Sequence, residues 1–186
     1  AGTIYYNIAC DDIKSCLYSR FYYFSGNKHY NMNKYAVWYW SGLVVVIITA
    51  IFSSGYHNHD EHFQVLEFCN YKLGLSPASD LPWEFEAKIR PAIQPFIAYS
   101  LANVLSTLGI YNPFTLALLL RIFMAIFSWV VITRLLKLLL PGFSTERGKL
   151  LFVLCSMLLW FVPYISVRFS AESFSGVLFC FAAYNI

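Results

Sequence analysis

Apolar residues run without a charge from Ala36 to about Phe52, and at about 1.5 Å of rise per residue a helix of that length approaches the roughly 30 Å hydrocarbon core of a bilayer. The pattern predicts a spanning helix that stops at Ser53-Ser54-Gly55. Further apolar runs predict spans at about 91–110, 114–138, 150–169 and 171–186, with Tyr111-Asn112-Pro113 as a break, Pro91 as a first-turn proline and Pro163 as a kink. Between the first two runs lies a polar stretch, residues 55–90. Within it Phe63, Leu66, Asn70 and Leu73 recur at spacings of three and four, while Asp60, Gln64, Glu67 and Tyr71 share another face. That spacing predicts an amphipathic helix over 59–73, capped by Gly74 and followed by a turn-rich connection from Ser76 to Pro82.

Composition turns these runs into a statement about solvent. The chain has 186 residues, 59% hydrophobic and only 12% charged, whereas soluble domains carry about 25% charged residues. The expected fold class is therefore all-α, a polytopic membrane protein with an amphipathic helix in its first extracytoplasmic loop. Residues 1–31 lack the signature of a signal peptide and remain an unassigned segment, so the membrane domain is placed at 32–186. A net charge of +3 is too small and too dispersed to suggest a nucleic-acid partner. Cys10, Cys16, Cys69, Cys155 and Cys180 are scattered, which implies neither a disulfide framework nor a zinc site. The chain is expected to be a piece of a longer protein.

Charge places the segments in conflict. Lys34, just outside the first run, assigns the amino-terminal side to the cytoplasm, and counting the three spans up to residue 138 then puts residues 134–149 on the same outer side as the polar stretch. Yet Arg134, Lys137, Arg147 and Lys149 there face a single Glu146, which by the positive-inside rule argues for the cytoplasm.

Candidate chemistry gathers in His57-Asn58-His59-Asp60-Glu61-His62-Phe63-Gln64. Asn58 followed three residues later by Glu61 reads as a capping box, and acids suit a first helical turn. An acidic pair beside a spanning helix is equally where a general base for a membrane-embedded substrate belongs. The histidines do not match H-E-x-x-H and cannot all share one helical face, so no metal site is implied. Arg121 and Arg168 sit in or at the end of apolar runs, where a charge costs a few kcal/mol unless paired or wet. They read either as snorkelling side chains or as an anion site, with Glu172 the candidate partner of Arg168. Lys88 and Arg90 stand at the mouth of the second run, suited to a lipid phosphate or to anchoring the helix end. No glycine-rich phosphate loop occurs.

Taken in order, Asp60-Glu61-His62-Phe63-Gln64, Glu67, Trp83-Glu84-Phe85, Ile89-Arg90 and Pro95 resemble the motifs of the family 22 glycosyltransferases of the GT-C type, the Alg9-like and GPI mannosyltransferases. Arg121 and Val167-Arg168-Phe169-Ser170-Ala171-Glu172 resemble that family's later segments more loosely. The likeness runs from about Tyr35 to the end, and departs where Asn58-His59 replaces the family's His-Pro.

The resemblance implies part of a GT-C-type helical bundle that transfers mannose, with inversion, from a polyprenyl- or dolichyl-phosphate-linked donor to a lipid-linked glycan. It makes Asp60 and Glu61 the catalytic pair and Gln64, Glu67, Lys88, Arg90, Arg121 and Arg168 the substrate-binding set, without a cofactor; a divalent cation is compatible but not implied. Its location would be the endoplasmic reticulum membrane in a eukaryote or the inner membrane in a bacterium, with membrane lipids as surroundings. This piece alone is expected to be inactive. The competing class is a non-catalytic multi-pass membrane protein, a transporter or assembly subunit.

Overall fold

The computed structural model describes residues 32–55, 61–89, 91–110 and 112–185. Among them every regular element is helical, and none is a strand. The longer α-helices are α1 (Ala36–Phe52), α4 (Ile93–Thr107), α5 (Pro113–Leu139), α6 (Glu146–Leu158) and α8 (Ala171–Asn185); α2 (Glu67–Lys72), α3 (Glu84–Ala87) and α7 (Phe161–Ser166) are short. With their flanking turns, the stretches Asn33–Phe52 and Pro113–Gly142 are long and apolar enough to cross a membrane.

α1 and α5 form the centre and run antiparallel. Tyr35 and Tyr39 pack with Leu136 and Leu140 at one end, Val46 and Ala50 with Ala125 in the middle, and Arg121 reaches the carbonyls of Ser53 and Gly55 at the other. The Trp129 indole N–H donates to Tyr39 O at 2.9 Å, fixing the register between them. α5 starts where sequence chemistry demands: Asn112 Oδ1 accepts from the Phe114 amide at 2.9 Å, with Pro113 in the first turn.

α6 begins beside the amino-terminal end of α1, where Glu146 pairs with Lys34 and Lys149 and accepts from the Tyr35 hydroxyl. It then follows α1, with Met157 against Gly42. The break between α6 and α7 falls at Leu159–Trp160, four residues before Pro163, whose ring and missing N–H disrupt the helix at the preceding turn. The expected kink in the run 150–169 is thus a full interruption. α7 leads to Val167 and Arg168, and α8 returns along α5 until Arg134 lies over the Tyr184 ring, 5.7 Å from its centroid.

The run expected to span at 91–110 behaves differently. α4 has 15 residues, about 22 Å of helix. At its start Gln94 donates to Ser170 O at 3.1 Å, while Ala98 and Leu105 pack with Val65, Cys69, Leu116 and Leu120. It packs at the Gly55 end of the bundle. Residues 134–149 lie at the Lys34 end, where Glu146 pairs with Lys34.

Candidate functional site

The site forms where α1 ends. Gly55 takes φ +70°, a left-handed conformation that favours glycine, and its carbonyl accepts from Arg121 Nη2 at 3.1 Å and from Arg168 Nη1 at 3.0 Å. Arg121 Nη1 also donates to Ser53 O. Carbonyls at a helix C-terminus carry partial negative charge, so cations are stabilised there.

Glu61 closes the other side. Its Oε2 lies 3.9 Å from Arg168 Nη1, and both side chains are nearly sealed, with Glu61 7% and Arg168 3% exposed. The Tyr164 ring covers the guanidinium, its centroid 4.6 Å from Cζ. Arg168 Nε is buried without a hydrogen-bond partner among the described residues. Arg121 and Glu61 both line a cavity of about 20 Å³ with Phe169, room for about one water.

What carries Glu61 here is a π-helical turn, His62–Leu66, that leads into α2. Glu61, Val65 and Cys69, each four residues apart, share the buried face, and Phe63 is exposed. The inward face is thus a neighbouring row and not the expected stripe of Phe63, Leu66, Asn70 and Leu73. Burial pushes the Cys69 thiol up to about 11. Gly74 ends α2 as expected, at φ +74°, with the Leu75 amide donating to Asn70 O and the Gly74 amide to Tyr71 O, a Schellman motif.

Lys88 occupies the equivalent capping position after α3, but as a non-glycine residue at φ 53°. The Ile89 amide donates to Glu84 O and the Lys88 amide to Phe85 O. Lys88 lines a groove of about 540 Å³ together with Lys72 and Glu84, walled by Phe68, Tyr71, Phe85, Phe96 and Tyr99.

Of the sequence-derived candidates, the structure brings Glu61, Arg121 and Arg168 together and sets Lys88 in a separate groove. Glu67 opens α2, one turn beyond the buried carboxylate. Asp60 and Arg90, with His57, Asn58 and His59, lie outside the described residues; Gln64 belongs to the π-turn, its side chain outside them too. Among the described residues the acidic partner of Arg168 is Glu61 and not the expected Glu172, which is exposed at the start of α8. Among the same residues no group of three or more His, Cys, Asp or Glu side chains could hold a metal ion.

Gly55 and Gln94 belong to the site without having been singled out as site residues. Gln94 is buried and donates to the carbonyls of Phe169 and Ser170, which follow Arg168. It is one of two side-chain amides, with Asn103, in a charge-free run, a signal that could have pointed to it because a buried amide needs partners.

Comparison with curated proteins and with solved structures gives no match to this chain. A family model does match, over residues 37–186, which include α1, the Glu61 turn, both arginines and every helix that holds them. The chain belongs to the Alg9-like mannosyltransferase family.

Proposed function

We propose that this protein acts as a multi-pass membrane mannosyltransferase of the GT-C type, using a polyprenyl- or dolichyl-phosphate-linked mannose as donor and a lipid-linked glycan as acceptor. The observation that carries this reading is the buried Glu61 carboxylate beside Arg121 and Arg168 at the end of a membrane-length helix, in a chain of this family.

In the proposed step Asp60 takes the proton of the acceptor hydroxyl as that oxygen attacks C1 of the donor mannose. The bond from C1 to the phosphate oxygen breaks on the opposite face, so the anomeric carbon inverts and the lipid phosphate leaves with the electron pair. Glu61, adjacent in sequence, is the second carboxylate. Negative charge grows on the departing phosphate, and fixed cations at that place lower the barrier; Lys88, with Arg90 two residues on, is assigned to it, and Arg121 to the Glu61 side of the site. An aromatic groove with Lys72 and Lys88 on its lining suits a ligand with an anionic head and an apolar chain.

Lys34, Arg134, Lys137, Arg147 and Lys149 gather at the opposite end, supporting a cytoplasmic assignment for that end and an extracytoplasmic one for Glu61. The test is transfer of labelled mannose from lipid-phosphate mannose in membranes carrying the full-length protein, wild type against Asp60→Asn. Loss in the variant supports the base assignment, equal transfer by both removes Asp60 from that role, and transfer by neither favours a non-catalytic membrane protein.

A further inference from the structure

We infer that Arg168 is a positioning residue and not a ligand of substrate: its guanidinium ties the end of α1, at Gly55, to the carboxylate of Glu61. In terms of catalysis this rests on the mannosyltransferase reading above.

The anion-site role suggested by an arginine in an apolar run requires a guanidinium with an open face. Arg168 is 3% exposed, one face lies against Tyr164, and Nη1 is directed at Gly55 O and Glu61 Oε2. Its own backbone is fixed from both sides. The Arg168 amide donates to Ile165 O at 3.0 Å, and Gln94 holds the next two carbonyls. Arg121 then grips the same Gly55 carbonyl from α5.

Gly55 and Glu61 are six positions apart, and Asp60 is one peptide bond from Glu61. A single planar cation joined to both residues sets the separation of these two points, so the carboxylate of Glu61 is referred to the rigid α1–α5 pair and not to the turn alone. Both contacts come from Nη1, so lysine can keep the charge and part of the tie, but it loses the planar face that lies against Tyr164 and so holds the contact less firmly.

The experiment uses purified full-length protein as wild type, Arg168→Lys, Arg168→Gln, Glu61→Gln and the double variant Glu61→Gln/Arg168→Gln. Mannose transfer is measured with donor varied, and amide hydrogen exchange is followed over residues 61–66 and in α6. A displacement of about 1 Å at a reacting group costs about a hundredfold in rate. Arg168→Gln should therefore lower kcat by about that factor while donor KM stays within about twofold, and Arg168→Lys should recover part of the loss. The double variant should be no worse than the poorer single variant, because residues acting through one contact are not additive.

Exchange over 61–66 should rise in Arg168→Gln and less in Arg168→Lys, with α6 unchanged. A raised donor KM at unchanged kcat would make Arg168 a substrate ligand and overturn the inference. So would multiplicative losses in the double variant, or unchanged exchange over 61–66. If wild type transfers no mannose the functional reading fails, while the exchange data still decide whether the tie exists. If Arg168→Gln does not fold, Arg168→Lys carries the same comparison.

Discussion

Lys88 offers a substitution whose structural and functional effects have opposite signs. It holds the left-handed capping position after α3 at φ 53°, ψ 33°, the place glycine takes after α2. A side chain there costs about 1–2 kcal/mol. Glycine relieves that cost but gives back about 0.5–1 kcal/mol through the greater freedom of the unfolded chain. Lys88→Gly should therefore stabilise the α3 turn by about 0.5–1 kcal/mol, while Lys88→Ala keeps the conformational cost and gains nothing. Function moves the other way. A hydrogen bond to a charged group contributes about 1.5–3 kcal/mol, so an ammonium that binds the donor phosphate is worth about 10- to 150-fold in transfer efficiency. Both variants should lose that factor in kcat/KM for the donor, and Lys88→Arg should retain most activity. The assays are donor-titrated mannose transfer and hydrogen exchange of the Lys88 and Ile89 amides, which donate to Phe85 O and Glu84 O. Wild-type kcat/KM for the donor in both Lys88→Gly and Lys88→Ala would refute the phosphate role and leave Lys88 as a cap alone.

Other consequences follow from single contacts. A methyl at Gly42 meets Met157 Sδ at 2.9 Å and Cβ at 3.1 Å; overpacking costs about 1–3 kcal/mol, against about 1 kcal/mol of helix propensity. Gly42→Ala should lower the melting temperature of the detergent-solubilised protein, and the loss should shrink in a Met157→Ala background. Glu146 is held down to about 2 by hydrogen bonds from Lys34, then Lys149 and Tyr35, against an ordinary 4.5. Because its folded pKa lies below the unfolded one, this stabilisation is complete above about pH 4.5 and is lost as pH falls toward 2. Thermal melts at decreasing pH should show that loss in wild type and a smaller one in Glu146→Gln. Cys69, wholly buried with its thiol pushed up to about 11, should resist maleimide at about neutral pH in the folded protein and react after denaturation in SDS.

The sequence made α1 legible to the residue, Ala36–Phe52, because a charge-free run ended by Ser53-Ser54-Gly55 leaves little choice. α5 and α8 were nearly as plain. α4 was not, since an apolar run of about 20 residues looks the same whether it crosses a membrane or packs at one end of a bundle. The difference lies in long-range partners such as Gln94 with Ser170 O. Pro163 announced an interruption, but the break shows itself one turn earlier, at Leu159–Trp160, because the proline disturbs the carbonyl four residues before it.

The site was legible as a list of charges and not as an arrangement. Arg121 and Arg168 stood out because each interrupts apolar sequence, and an anion was the natural partner to imagine. The structure supplies partners that no charge pattern contains: the carbonyls of Ser53 and Gly55, exposed because α1 ends there and Gly55 turns left-handed. Nor did the row chosen by periodicity include Glu61: Phe63, Leu66, Asn70 and Leu73 and the neighbouring Glu61, Val65 and Cys69 are both helical rows, and packing buries the second. A cation in an apolar run thus has two solutions of similar cost, an external anion or the chain's own helix terminus. Arg168 takes the second, with Nη1 on Gly55 O and beside Glu61, whereas exposed Lys88 lines the aromatic groove to which the proposed function assigns the lipid phosphate.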